Sequence, residues 1–314
     1  MDVLSLFDGI SCARVALERA GVPIRNFVSV EIEKVPRGIT AHNFPDTIHL
    51  EDVRGVQYDG NILRYNGEKV IPLDPANTIV VGGSPCQGFS QAGKGLNFND
   101  PRSQLYFEFE RIVNEVRPRF WLLENVRMKR QWVDTISSRM ERPAVHIDSK
   151  VFTPLSRPRV YWFNWDLRDD IPTKVKTMRG LFDSSENVNK FRVALSEAAL
   201  ARCENIVARS KERGLGYKMP VVNADGYYLC LDKNIFKGAD GKRGIIDDGV
   251  HPLRMPTPIE CERLQGLPDD YTRVMVADSS PYRTKEVCKT NRYKALGNGW
   301  TVPVIEHIFK SMGK

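Results

Sequence analysis

The chain has 314 residues, 41% hydrophobic and 27% charged, which suits one large or two unequal folded domains and excludes a disordered chain. Apolar runs such as Thr78-Ile79-Val80-Val81 fall far short of the ~20 residues that span a bilayer, and no basic segment followed by an apolar stretch opens the chain, so neither a membrane protein nor a secreted one is expected. The balance of 46 basic against 39 acidic residues, a net of +7, is compatible with a polyanionic partner but does not require one.

The first half alternates between two periodicities. Val3 to Phe7 is a short apolar run suited to a buried strand, and Ala13 to Ala20 follows at helical spacing. Phe27 to Val30 reads as a second strand, Val35 to Asn43 as a helix, and Thr47 to Leu50 as a short strand. Thr78 to Val81 is β-branched and uncharged, another strand. Arg102 to Val116 reads as an amphipathic helix with Leu105, Phe109, Ile112, Val113 and Val116 on one face. Pro118 ends it. Phe120 to Leu123, Val145 to Ile147 and Val160 to Phe163 are further strands. This alternation predicts an α/β fold, a parallel sheet with helices on both faces. After about Asp166 the periodicity weakens and charges cluster, which predicts a smaller second domain or insertion. Regular structure resumes with helices at Thr257 to Gly266 and Thr301 to Met312.

In such sheets ligands bind beyond the carboxyl ends of the strands, and polar groups of catalytic type stand there. Phe7-Asp8-Gly9-Ile10 makes a tight turn into a helix, without the Lys of a phosphate-binding loop. Glu31, about 20 residues past that turn, suits an acceptor for ribose hydroxyls. Asp52 suits an acceptor for an adenine amino group. A ligand with ribose and adenine but no phosphate points toward S-adenosylmethionine. Glu124 is a carboxylate at the end of an apolar strand, a group suited to delivering a proton. Arg157 and Arg159 flank the next strand and offer rigid donor forks for a base carbonyl or a phosphate.

The six cysteines, Cys12, Cys86, Cys203, Cys230, Cys261 and Cys288, form no Cys-x-x-Cys pair, so neither zinc, another metal nor a disulfide framework is expected. Cys86 differs from the rest. In Gly83-Ser84-Pro85-Cys86-Gln87-Gly88-Phe89-Ser90 it follows a strand, is held by a rigid Pro, and enters a loop of Gly and polar residues. That context favours an exposed nucleophile.

Joined in order, these residues resemble the C5-cytosine DNA methyltransferases. The family's motifs run in sequence: Phe7-Asp8-Gly9, Glu31, Asp52, Pro85-Cys86, Glu124-Asn125-Val126, Arg157-x-Arg159, Thr257-Pro258-x-Glu260-x-x-Arg263-Leu264-Gln265-Gly266, and Gly297-Asn298. The resemblance covers about residues 1–165 and 255–314. The two ends, Leu4 to Ile10 and Trp300-x-Val302-Pro303-Val304-Ile305, are also similar to the vertebrate de novo DNA methyltransferase catalytic domains. Two positions depart from the pattern. Many members have two further glycines where this chain has Ser11-Cys12, and Leu155 stands where a Gln usually precedes the arginines.

The resemblance implies a Rossmann-like S-adenosylmethionine-dependent sheet over residues 1–165 and 290–314, with a smaller target-recognition region over 166–289. It implies DNA cytosine-5 methylation of a base flipped from duplex DNA, with Cys86 as the nucleophile, and with Glu124, Arg157 and Arg159 as the other catalytic groups. Phe7, Asp8, Gly9, Ile10, Glu31, Ile32, Asp52, Val53, Pro85, Leu105, Asn298 and Trp300 would bind the cofactor. Gln87, Ser90 and Gln91 would contact DNA, with Gln87 or Gln91 filling the gap left by the flipped base. A companion restriction enzyme and a cytoplasmic setting in a bacterial or phage-infected cell are the matching expectations. A monomer is the default, and the association of the de novo enzymes through this fold keeps a dimer open. Two other readings stand beside this one. A transfer-RNA cytosine methyltransferase would carry a Cys-Phe-Thr tripeptide, absent here. A catalytically idle DNA-binding homologue would typically have lost Cys86, Glu124, Glu31 or Asp52.

Overall fold

The structure is a computed structural model that describes residues 1–84, 105–183, 186–192, 197–212, 221–229, 231–235, 244–277 and 284–312. Two compact units emerge. The first comprises Met1–Asp148, Pro158–Ile171 and Val304–Lys314, and the second Ser149–Arg157 and Pro172–Pro303.

The first unit alternates strand and helix as its periodicity predicts. In chain order it contains β1 (Asp2–Leu6), α1 (Cys12–Arg19), β2 (Asn26–Val30), α2 (Lys34–Asn43), β3 (Ile48–Leu50), a meander β4 (Val56–Tyr58), β5 (Ile62–Tyr65) and β6 (Glu68–Pro72), then β7 (Thr78–Gly82), α3 (Leu105–Val116), β8 (Phe120–Val126), α4 (Arg130–Arg139), β9 (Val145–Asp148) and β10 (Pro158–Phe163). Among the described residues one sheet has the order β3-β2-β1-β7-β8-β10-β9. Every residue of β1 and of β7 is buried. Since successive side chains point to opposite faces, both faces are covered. Leu4, Leu6 and Val80 meet Phe109, Ile112 and Val116 of α3 in the main core, each such side chain contributing about 1.5–3 kcal/mol on burial.

Two features depart from the sequence reading. β10 runs antiparallel to both β8 and β9. A parallel return needs a crossover of a dozen or more residues, and the segment 149–157 is too short to supply one. The meander was also missed. Its β5–β6 turn carries Asn66-Gly67 with φ of 50° and 87°, a recognised hairpin signal.

The chain leaves β1 toward β2 and β3, then returns to place β7 on the other side of β1. This reversal creates the crevice where such sheets bind ligands. Leu6 pairs with Gly82 at its mouth. The turn after β1 and the loop after β7, which leads to Pro85 and Cys86, therefore leave from adjacent strand ends.

The second unit holds α5 (Glu197–Glu212), the short parallel pair β11 (Val221–Val222) and β12 (Ile245–Ile246), α6 (Pro258–Gln265), the antiparallel pair β13 (Met275–Ala277) and β14 (Thr284–Glu286), and α7 (Lys289–Asn298). Helix α8 (Val302–Lys310) closes the chain, and Trp165 Nε1 donates to the Ile308 carbonyl at 3.1 Å within the first unit. No described helix is long and apolar enough to cross a membrane.

Candidate active site

The turn after β1 is built around Asp8. Its carboxylate accepts from Ser5 Oγ and Ser11 Oγ, each at 2.5 Å, and from Ser29 Oγ at 2.7 Å. Burial pushes the Asp8 carboxyl above its ordinary range against these three donors. Ser11 stands where a further glycine is common and adopts φ 56°, a conformation L-residues resist. Its hydroxyl compensates, bonding Asp8 and standing 2.9 Å from Thr40 Oγ1. Gly9 has φ +63° and open space where a side chain would begin, so its main chain can be approached closely.

Glu31 follows β2. Oε2 accepts from the Gly9 N–H at 2.9 Å and Oε1 from the Glu33 N–H at 2.8 Å. Each oxygen thus keeps further acceptor capacity. Burial raises the Glu31 carboxyl above its ordinary value, against the two N–H donors and helped by the neighbouring Asp8. Beside it, Ile32 is 64% exposed, an apolar side chain lying open next to a fixed carboxylate.

Asp52 accepts from the Arg54 N–H at 3.0 Å and pairs with the exposed Arg54 guanidinium, which holds its carboxyl below the usual range. Two expected cofactor residues are core residues by side chain. Ile10 is 1% and Val53 4% exposed, so only their main chains are available to a ligand. Phe7 and Leu105 are half-buried and pack against the main core.

At the end of β8, Glu124 Oε1 lies 2.9 Å from Arg159 Nε, both side chains nearly buried. The register pairs Glu124 with Tyr161 and Val126 with Arg159, so Glu124 and Arg159 are diagonal neighbours on one face. Asn125 points to the other face. It is buried, donates to Ser84 Oγ at 3.2 Å and accepts from the Val126 N–H at 2.8 Å. Asn125 therefore ties the end of β8 to the last described residue before Pro85. Neither Ser84 nor Asn125 was singled out from sequence, although Asn125 lies inside the quoted Glu124-Asn125-Val126 motif. Pro85, Cys86, Gln87, Ser90 and Gln91 lie outside the described residues.

A family profile described as C-5 cytosine-specific DNA methylase matches residues 1–134 and 165–314. The chain belongs to that family. Its relatives include the type II methyltransferase M1.ScrFI of Lactococcus lactis subsp. cremoris, 28% identical over 99% of this chain and 77% of the relative, and M.NlaX of Neisseria lactamica, 26% identical over 99% and 95%. The fold of this methylase matches that of the Schizosaccharomyces pombe Dnmt2 methyltransferase, with a TM-score of 0.71, 18% identity and coverage of 99% and 97%. It also matches an Escherichia coli prophage-encoded protein described as a putative DNA modification methyltransferase, with a TM-score of 0.60, 20% identity and coverage of 99% and 98%.

In the methylase's second unit, the motif from Thr257 to Gly266 has a structural explanation at most positions. Thr257 and Glu260 form a reciprocal capping box on α6, with Pro258 in its first turn. Glu260 also accepts from both terminal nitrogens of buried Arg254, each at 2.7 Å. Arg263 pairs with Asp269 and donates to the Leu181 and Phe182 carbonyls. Gln265 donates to the Leu296 carbonyl at 2.7 Å and the Gly299 carbonyl at 3.2 Å, and accepts from Thr301 Oγ1 at 2.8 Å. Arg157 reaches the same turn. It is buried and donates to the carbonyls of Leu231, Gly297 and Gly299 at 2.7, 3.1 and 2.9 Å. A side chain at Gly297 would collide with the Asp232–Lys233 main chain. Asn298, exposed, and Trp300, half-buried, are thus carried on a turn gripped by Arg157 and Gln265. Buried Cys261 has its thiol pushed well above the ordinary value by burial and by Glu260 and Glu262, which makes it inert.

Proposed function

We propose that this methylase transfers the methyl group of S-adenosylmethionine to C5 of a cytosine flipped out of duplex DNA, through a covalent bond between Cys86 and C6. The observation that carries the reading is the Glu124–Arg159 pair, set at a strand end in the same unit as the Glu31 cradle.

The residues present fit the cofactor. Glu31 keeps acceptor capacity for two ribose hydroxyls, exposed Ile32 offers an apolar platform for the adenine, and the open space over Gly9 admits the methionine portion. Asp52 would accept from the adenine amino group once Arg54 swings away, and the Val53 main chain would meet the ring edge. When bound, S-adenosylmethionine supplies an electrophilic methyl carbon. The protein makes cytosine C5 nucleophilic enough to accept it. The Cys86 thiolate adds to C6, forming an S–C bond and moving an electron pair toward C5 and the ring. Arg159 donates to the cytosine O2, and Glu124 gives a proton to N3 and accepts from the exocyclic amine, so the negative charge that develops on the ring is neutralised. Once the methyl group has passed to C5, with S-adenosylhomocysteine as the leaving group, the C5 proton goes to a solvent base and its electron pair re-forms the C5–C6 double bond and expels Cys86. Arg157, held by main-chain carbonyls, acts as a positioning residue. The relatives are named type II methyltransferases, which supports a restriction–modification setting with a companion restriction enzyme.

Mass spectrometry of the protein with S-adenosylmethionine and duplex DNA containing 5-fluorocytosine tests this directly. Fluorine at C5 cannot leave as a proton, so a covalent adduct at Cys86 is expected, absent in Cys86→Ala. An adduct formed only with transfer RNA would overturn the DNA assignment. Intact cofactor binding with no adduct on either would overturn the covalent step.

Glu31 makes cofactor affinity pH-dependent. Only its ionised form accepts from two hydroxyls, and burial holds its carboxyl above the ordinary 4.5. Affinity should be full at neutral pH and fall as pH drops through that raised value, earlier than an ordinary carboxylate would allow. Glu31→Gln should weaken binding at neutral pH by about 10–100-fold, the worth of a hydrogen bond to a charged group, and should flatten the profile. Calorimetric titration from about pH 7.5 to 4.5 reads both. An unchanged affinity in the variant would remove Glu31 from the cofactor site.

A further inference from the structure

We propose that Arg127, Lys129 and Arg130 form a docking surface for the phosphate backbone of the substrate DNA. The inference rests on the DNA reading above and adds a binding surface to it. The three cations begin one residue beyond β8, so strand geometry places Arg127 within ~10 Å of Glu124 along the chain. All three are exposed, while Met128 between them is buried in the main core with Val133 and Ile136 of α4. The buried methionine fixes the main chain that carries the cations.

These charges stand together in one short run without the close carboxylate partner that many arginines of this unit have. Arg37 faces Glu51, Arg54 faces Asp52, Arg64 faces Asp59 and Arg139 faces Glu110. Among the described residues the Arg127 and Lys129 side chains meet no carboxylate. Arg130 meets, among the described residues, only Asp134, at 3.6 Å, with both side chains largely in solvent, a pair worth little. The first turn of α4 carries no acid, so its N-terminal N–H dipoles add to the same positive potential. An ordinary solvated face intersperses both signs; here a run of one sign adjoins the site that would receive the target base.

The chemistry selects the partner. S-adenosylmethionine has no phosphate, and the cofactor cradle is lined by carboxylates. A flipped nucleotide remains tied to its strand by phosphodiesters on both sides, and holding those phosphates fixes the register of the duplex.

The test compares the salt dependence of duplex-DNA binding in the wild type, in R127Q/K129Q/R130Q, and in a control with equal charge loss, R19Q/K69Q/R117Q. Each lost phosphate contact should lower the slope of log K against log salt by about 0.9, so the first variant should lose about 2–3 from the slope. Its S-adenosylmethionine affinity should be unchanged, which also reports that it is folded. The control should keep the wild-type slope. A wild type that methylates DNA, with the same slope in both variants or an equal drop in both, would overturn the surface while leaving the function intact. A wild type that does not methylate DNA would instead overturn the function reading, and the surface with it.

Discussion

Glu124→Gln should lower kcat for DNA methylation by about 10²–10⁴-fold, the range for a positioned proton-handling group, while leaving S-adenosylmethionine affinity within about two-fold. The substitution keeps the volume and a hydrogen-bonding amide but removes the charge that faces Arg159 at 2.9 Å. Cysteine addition to C6 builds negative charge at the pyrimidine edge, which a proton given by the Glu124 carboxyl to N3 would neutralise, and an amide has no such proton to give. Affinity for the cofactor is spared because the Glu31 cradle is built from the turn after β1 and the end of β2. Loss of the carboxylate also leaves Arg159, nearly buried, without its anion. A denaturation midpoint must therefore accompany the kinetics, so that a partly unfolded sample is not read as a slow enzyme. Stopped-flow methylation with saturating DNA decides it. A kcat within a few-fold of wild type in a folded variant would sink the assigned role.

Arg254→Met should destabilise the second unit by about 3–5 kcal/mol, the cost of stranding a buried charge. Arg254 is fully buried. It grips both oxygens of fully buried Glu260 at 2.7 Å and reaches Asp248 at 2.8 and 3.1 Å. Glu260 in turn accepts from the Thr257 and Asp183 N–H groups at 2.8 and 2.9 Å, so α6 and the segment near residue 183 share one anchor. The double variant Arg254→Met/Glu260→Gln should be more stable than Arg254→Met alone, because the uncompensated charge goes while an amide oxygen still caps α6. Burial opposes the ionised form of Asp248. The His251 N–H, Arg254 and the other donors outweigh it and hold the carboxyl far below its unfolded value of 3.8. That stabilisation is present above pH 3.8 and is lost as pH falls toward the folded value, so acid sensitivity should be blunted in Arg254→Met. Urea denaturation across pH measures all three effects. A double variant less stable than the single one would show that Glu260 matters as a charge in its own right.

The hydrophobic rhythm of the first unit was legible because its strands are buried on both faces and read as short apolar runs, as at Thr78 to Gly82 and Phe120 to Leu123. Glu31 stood out by its position at a strand end about 20 residues beyond a glycine turn, and the structure sets its carboxylate against the Gly9 main chain. The reversed direction of β10 was not, because connection length rather than composition decides it. Nor was the difference between Arg157 and Arg159. The two are separated by one residue and chemically identical, yet one is fastened to carbonyls and the other to Glu124. Side-chain alternation hints at neither role, as only distant turns such as Gly297 to Gly299 supply the partners. Ile10 and Val53 fit the cofactor motifs by position, but a position in sequence does not tell which way a side chain turns. The Thr257 to Gly266 motif is similar. Its letters suggest a functional stretch, and its contacts are mostly those of a capped helix and its anchors.

The distance between the turn that follows β1 and the loop that follows β7 is a property of strand pairing, not of chain length. Adjacent strands sit about 4.8 Å apart, and the Leu6–Gly82 pairing holds that spacing however long the intervening route becomes. The β4–β6 meander lies on that route, and its Gly60 and Gly67 turns have φ of 94° and 87° and are exposed. Such turns are where a chain tolerates lengthening. The enzyme thus contains a natural port for a reporter peptide or a fused partner, at which added length leaves the spacing of those two strand ends unchanged.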